Sequence, residues 1–397
     1  MRNLLVLLTV FIWIHPACAQ LGPWNLDELR KPPRIEWLDK DGKLRRLLYE
    51  SEPYHGKPTR VFAYYAEPEK ADGKLPAVVL VHGGGGTAFS EWAQLWAKRG
   101  YIALAMDLAG HGEGRKRLAD GGPEQDDASR FNQHDLKDMW SYHAVAAVIR
   151  GHSLIRSLPG VDPDRVGLTG ISWGGYLTCI VAGLDDRFKV AVPVYGCGFV
   201  HENSVWLPTF AKMPNDWRKT WIENFEPSKF LSHAKMPMLF VNGTNDSAYP
   251  LDSYQKSYRL VKDRNLCITV NMPHGHRQGW APIEIGLFID QHLRGGKPLF
   301  RFEDRAVRIE QKEDKVTLEI RQTLEIKSVS AHWTTDTKNP WKMRKWESSR
   351  AERISGSATD HFSVSLSKDR PLIYFLTATD VRGATISSEH AALDGPQ

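Results

Sequence analysis

The stretch Gly170-Ile171-Ser172-Trp173-Gly174-Gly175 constrains the fold more than any other part of this chain. It follows Asp164 to Thr169, which reads as a short buried strand led in by a turn, and it precedes Tyr176 to Leu184, which reads as a helix. A chain passing sharply from strand to helix must put one residue through a strained conformation, and small residues on either side make so tight a turn feasible. The turn would lift the Ser172 hydroxyl above the sheet, at the positive end of the helix that follows. The pattern is common by chance. Its strand–turn–helix setting is what makes Ser172 a candidate nucleophile.

The chain has 397 residues, enough for two domains. With 42% hydrophobic and 25% charged residues it has a globular composition, and a net charge of +5 without basic blocks argues against nucleic-acid binding. Residues 1–19 read as a signal peptide: Arg2, an apolar run from Leu4 to Ile14, then Ala17-Cys18-Ala19 as a cleavage site. Lipid modification at Cys18 is the competing reading of that segment. Export, to periplasm or medium, is therefore expected, with no membrane span in the mature chain. Cys179, Cys197 and Cys267 each lie in an apolar run and are expected to be buried rather than to form a disulfide framework.

From Arg60 to Leu293 short apolar runs alternate with helical patterns, the signature of a mainly parallel sheet covered on both faces. Strands are expected at Val61–Ala66, Ala77–Val81, Tyr101–Met106, Val190–Val194, Met238–Val241 and Leu266–Val270, and a closing helix at Ile283–Leu293. Residues 21 to about 58 are expected to wrap the surface. Beyond Lys297-Pro298 the runs alternate with period two, which predicts a small β-sandwich of immunoglobulin or fibronectin type. The expected division is 1–19 signal peptide, 20–298 catalytic domain and 299–397 β-sandwich.

Acyl transfer needs a nucleophile, a base, a carboxylate to orient the base, and donors for the oxyanion. In a doubly wound sheet these stand at the carboxyl ends of strands. Asp246 follows the strand Met238–Val241, and both His274 and His276 follow the strand Leu266–Val270. Asp246 could instead cap the next helix or hold a turn, and Asp252 falls inside that helix. Gly83–Gly86 follows a strand and His82, and the N–H of Gly84 or Gly85 would complete an oxyanion hole with that of Trp173. No metal or cofactor is called for: the two histidines lack a carboxylate or cysteine cluster, and the glycine run lacks a nucleotide-binding lysine. Asp107-Leu108-Ala109-Gly110-His111-Gly112 is expected to shape the floor of the site.

Taken together, Ser172 in its turn, His82-Gly83-Gly84, Asp107-x-x-Gly110-His111-Gly112, Asp246 and His276 resemble the α/β-hydrolase superfamily over about residues 60–295. Within that superfamily the chain is similar to the acetylxylan-esterase and dienelactone-hydrolase branch, which adjoins the prolyl oligopeptidases. The tail, with Trp333 and Trp341, resembles that of PhoPQ-activated pathogenicity-related proteins. The resemblance implies a doubly wound α/β-hydrolase fold and a serine esterase or peptidase. Because Gly275-His276 looks like the glycine–histidine pair before the closing helix of related hydrolases, it favours His276 over His274 as the base. The glycine run is one residue longer than usual, and the propeller of the oligopeptidases is absent.

The resulting expectation is an exported serine carboxylesterase that deacetylates a polysaccharide such as xylan, its substrate an acylated carbohydrate or small ester, with Ser172, His276 and Asp246 as triad. A peptidase of oligopeptidase type, or a binding protein on an idle hydrolase fold, are the alternatives. Trp206, Trp217 and Trp221, between Gly196 and Lys235, would line a lid and stack on sugar or pack it down. In the tail, Trp333, Trp341 and Trp346 lie among Lys338, Lys342, Arg344 and Lys345, as a binding platform or as core and solvated face.

Overall fold

The computed structural model describes residues 21–70, 72–302, 307–320, 325–354 and 360–394. The expected signal peptide lies outside the described residues. Nine strands build one sheet: β1 (Ile35–Trp37), β2 (Leu44–Tyr54), β3 (Lys57–Ala66), β4 (Leu75–Val81), β5 (Ile102–Met106), β6 (Val161–Ile171), β7 (Val190–Val194), β8 (Met238–Gly243) and β9 (Arg264–Thr269). Their order is β1-β2-β3-β5-β4-β6-β7-β8-β9. The pairs from β5 through β9 are parallel, and β1, β2 and β3 add antiparallel pairs on one side. Parallel strands need crossovers, so helices cover both faces and the strands become continuous buried runs such as Val78-Val79-Leu80-Val81.

Glycines in β6 show the two faces directly. A Cβ on Gly167 would meet the side chains of Leu293 and Ile289, from the helix Ile283–Leu293. Three residues on, and so on the opposite face, a Cβ on Gly170 would meet Gly174 and Thr178 of the helix Trp173–Leu184. The expected strands and the closing helix are present: Val190–Val194 and Ile283–Leu293 keep the expected bounds, β3, β4 and β8 are longer, β5 is one residue shorter, and β9 starts and ends earlier.

Residues 21–58 depart from the expectation of a surface wrap, because β1 and β2 join the sheet. In β2, Leu47 and Tyr49 enter the main core while Leu48 packs on Phe62 and Ala88 across the sheet. Arginines before this three-residue run and polar residues after it mask its alternation in the sequence.

The tail forms two antiparallel sheets among the described residues. One has the order β10-β11-β15-β14: β10 (Val307–Lys312), β11 (Lys315–Ile320), β14 (Glu352–Ile354) and β15 (Asp360–Ser365). The other is β13-β12-β16-β17, with β18 also on β16: β12 (Ile326–Thr334), β13 (Glu347–Arg350), β16 (Leu372–Asp380), β17 (Thr385–Ser387) and β18 (Ala391–Leu393). Trp333 and Trp341 are buried, and the Arg344 guanidinium lies 3.8 Å from the Trp341 ring, itself buried. Lys338, Lys342 and Lys345 remain exposed. The aromatic and basic residues thus divide between core and solvated face.

The tail also covers the edge of the main sheet. The Ser387 hydroxyl accepts the Ile268 N–H of β9 (2.8 Å) and donates to the Ile268 carbonyl (3.2 Å). Glu284 accepts the Thr385 N–H at 2.6 Å, and Arg259 and Arg264 pair with Glu389 at 2.7 and 2.8 Å. An uncovered edge strand presents unpaired backbone groups, which this docking satisfies in part. Cys179, Cys197 and Cys267 are free and buried, as expected.

Burial holds several histidines neutral. His143, His276, His332 and His390 are each pushed down to about 4, mainly by loss of hydration. In the unfolded chain a histidine titrates near about 6.5. Between these values the unfolded chain binds more protons than the folded one, so stability falls as pH is lowered through that window. Thermal melts from about pH 7 to about pH 4 should show Tm dropping across that window; a flat Tm would contradict it.

Candidate active site

Ser172 stands between β6 and the helix Trp173–Leu184 with φ 58° and ψ −117°, in the left-handed region that a serine rarely adopts. Holding a residue there costs about 1–3 kcal/mol, which the surrounding contacts must offset. Ser172 N–H donates to the Val194 carbonyl (2.8 Å), and the Ser172 carbonyl accepts from Tyr176 N–H (2.9 Å). A Cβ on Gly174 would lie 2.0 Å from the Val81 carbonyl oxygen, and one on Gly170 would lie 2.2 Å from that of Gly174. Both glycines are therefore required by space, which is the physical content of the sequence pattern.

Asp246 lies in the loop after β8 with its carboxylate fully buried. Oδ1 accepts the N–H groups of Ala248 (2.8 Å) and Tyr249 (2.7 Å), while Oδ2 bonds His274 Nδ1 at 2.6 Å. One oxygen thus holds the turn and the other bonds the histidine. His274 Nε2 lies 2.9 Å from Ser172 Oγ. With Nδ1–H donating to a carboxylate, the neutral ring leaves the Nε2 lone pair for the serine proton. Tyr195 fixes that ring: it stacks on His274 at 4.4 Å, and its hydroxyl donates to the Pro273 carbonyl (2.7 Å).

The expectation of His276 beside the serine is therefore corrected to His274. His274 is on the extended loop after β9, whereas His276 begins the short helix His276–Trp280 and points elsewhere. Its Nε2 accepts the Gly83 N–H at 3.0 Å, and its ring packs on Phe89 at 4.8 Å. Burial first, then His82 and His274 nearby, hold it neutral and so able to accept. Histidines two residues apart offer the same chemistry to a reader of the sequence. Only the turn between them separates their roles.

The glycine run forms a turn closed by Gly86 N–H to the Gly83 carbonyl (3.1 Å), with Gly85 at φ 64°. A Cβ on Gly83 would lie 2.9 Å from Ser172 Cβ, and one on Gly84 would lie 2.9 Å from the Trp173 indole. Gly85 is at the exposed corner, where its carbonyl accepts from Arg115 Nη2 (2.5 Å). Gly84, more than Gly85, is thus brought to Trp173. Below the turn, Leu108 N–H donates to His82 Nε2 (2.8 Å), and Asp107 Oδ1 accepts from Ala109 and His111. Asp107 thus holds the turn that follows β5.

Trp206, Trp217 and Trp221 divide. Trp217 and Trp221 lie on the helix Asn215–Phe225, both buried, and donate their indole N–H to the carbonyls of Phe131 (2.7 Å) and Arg130 (2.8 Å). They pin the short helix Asp127–Phe131 instead of facing a substrate, which corrects the expectation for these two. Trp206 is half-buried, 4.6 Å from Trp173 and 5.2 Å from Tyr249. Arg130 completes this wall, its guanidinium 4.6 Å from the Trp173 ring. Trp221→Phe should leave the Arg130 carbonyl without its donor and cost about 1–3 kcal/mol of stability. Equilibrium unfolding checks this; an unchanged unfolding free energy would contradict it. Tyr195, stacked on His274, is a residue that the sequence reading missed; it belongs to no motif.

The described residues contain no group of three or more histidine, cysteine or carboxylate side chains placed to hold a metal, and no helix long and apolar enough to cross a membrane.

The family model described as acetyl xylan esterase (AXE1) matches residues 40–205, which include Ser172 but stop short of Asp246 and His274. Acetyl esterase Axe7A of Xylanibacter ruminicola is 25% identical over 244 residues, 57% of this chain and 55% of that protein. The uncharacterized peptidase YuxL of Bacillus subtilis is 25% identical over 266 residues, 59% of this chain and 37% of that protein. The chain thus spans about half, or less, of the length of these curated relatives. Among solved structures, acetyl xylan esterase from Paenibacillus sp. R4 superposes with a TM-score of 0.52 at 21% identity, covering 68% of this chain and 92% of that one. The superposition shows that this chain shares its α/β fold with that protein.

Proposed function

We propose that this chain is an exported serine carboxylesterase that removes small acyl groups, acetyl foremost, from a carbohydrate such as xylan. The observation that carries the reading is the unbroken chain from Asp246 Oδ2 through His274 to Ser172 Oγ, at 2.6 and 2.9 Å. Ser172 Oγ attacks the ester carbonyl carbon and passes its proton to His274 Nε2. The imidazolium, stabilised by buried Asp246, then protonates the departing alkoxide, leaving Ser172 acylated. Water, deprotonated by His274, reverses the sequence and releases the carboxylic acid. The N–H groups of Trp173, at the helix start, and Gly84 are the proposed oxyanion donors. Trp206 is the aromatic left to face substrate. No cofactor enters this sequence.

The acetyl preference draws on the acetyl xylan esterase family match and on the acetyl esterase among the relatives. A peptidase is the second reading, drawn from the peptidase relative. Release of acetate from acetylated xylan and p-nitrophenyl acetate, set against cleavage of a proline-containing amide, tests both. Ester turnover without amide cleavage is expected; amide cleavage alone would replace the esterase reading with the peptidase one.

A further inference from the structure

The residue beside the acid, Asn245, belongs to three parts of the molecule at once. Its side-chain amide donates to carbonyls of the tail turn: Arg344 at 2.7 Å, Lys342 at 3.2 Å and Trp341 at 3.4 Å. Its Oδ1 accepts the Thr244 hydroxyl (2.7 Å), and Thr244 Oγ1 accepts the Asn271 N–H (3.0 Å) from the loop after β9. Asp246 follows Asn245 directly, and His274 lies three residues beyond Asn271. One chain of hydrogen bonds thus runs from the tail to the acid loop and on to the base loop.

The tail end of that chain is itself held firmly. Arg344 donates from Nε to the Asn339 carbonyl (2.9 Å) and from Nη2 to that of Thr337 (3.2 Å), and its guanidinium covers Trp341. Trp341 in turn packs on His390 at 5.2 Å, beside the segment that covers β9. The carbonyls that receive Asn245 are therefore fixed by packing, as an anchor requires.

We infer that the tail positions the Asp246–His274 pair through Asn245, which makes Asn245 a positioning residue and the tail a working part of the active site. The kinetic part of this rests on the proposed esterase reading; the geometric part does not. An acid loop free to shift by a fraction of an ångström loosens the Asp246–His274 bond, lowering turnover more than ground-state binding.

The test uses the full chain and p-nitrophenyl acetate. Asn245→Ala removes the donor, and Asn245→Asp keeps its size but turns an acceptor toward the three carbonyls. Each should lower kcat about tenfold with KM within about twofold of the parent. The far-downfield proton resonance between His274 and Asp246, assigned by its loss in His274→Ala, should broaden or move upfield in both variants. Ser387→Ala serves as the stability reference: it should lower Tm through the lost β9 contact and leave kcat within about twofold. Unchanged kcat and an unchanged resonance in Asn245→Ala would overturn the inference, as would an equal loss of kcat in Ser387→Ala. If the parent cleaves no ester, the functional reading fails, and the proton resonance alone then decides this inference.

Discussion

Replacing His274 by alanine should lower kcat for an acetyl ester by about 10⁴–10⁶-fold, whereas replacing His276 should cost about 10²-fold. His274 Nε2 lies 2.9 Å from the Ser172 hydroxyl, so its loss removes the acceptor placed for the serine proton. His276 touches no reacting atom in the proposed sequence. It holds the glycine turn through Gly83 N–H, so its loss would loosen the oxyanion donors and leave the triad in place. His276→Asn, which can still present an acceptor, should recover part of the activity that His276→Ala loses. Steady-state kinetics on the three variants decide the matter; a greater loss in His276→Ala than in His274→Ala would reverse the assignment.

Ser172→Ala should abolish turnover to a similar degree, about 10⁴–10⁶-fold, because the proposed mechanism carries the acyl group on the Ser172 hydroxyl. Members of a triad act as a unit, so Ser172→Ala/His274→Ala should be scarcely worse than either single variant. The substitution should leave folding intact. Ser172 is held by backbone bonds to Val194 and Tyr176 that alanine keeps, and its φ of 58° is no easier for alanine than for serine. Kinetics paired with a thermal melt check both halves; a stable variant with parental acetate release would remove Ser172 from the mechanism.

The parallel sheet was legible in the sequence because buried parallel strands are runs of apolar residues, as in Val190–Val194, bounded by turn signals. The Ser172 turn was legible because backbone carbonyls of Val81 and Gly174 leave no room for a Cβ at Gly174 and Gly170. The strand β2 was not, since its Leu47-Leu48-Tyr49 run sits between charged and polar residues and buries both of its faces. Which histidine lies beside Ser172 was not legible for a different reason. A lone pair within reach of Ser172 is a property of three-dimensional direction, and spacing cannot distinguish His274 from His276. Tryptophan composition likewise marked the segment around Trp217 and Trp221 without revealing that their N–H groups tie down the carbonyls of Phe131 and Arg130. Asn245 had no signal at all, because its partners lie about a hundred residues away.

The proposed mechanism requires an acyl group carried on Ser172. Rapid acid quenching of the protein with p-nitrophenyl acetate, followed by peptide mass mapping, tests it most directly. An added acetyl group on the peptide containing Ser172, absent from Ser172→Ala and accumulating if deacylation is slowed, is the predicted result. Acetate release with no adduct at Ser172, or with the adduct on another residue, would contradict it.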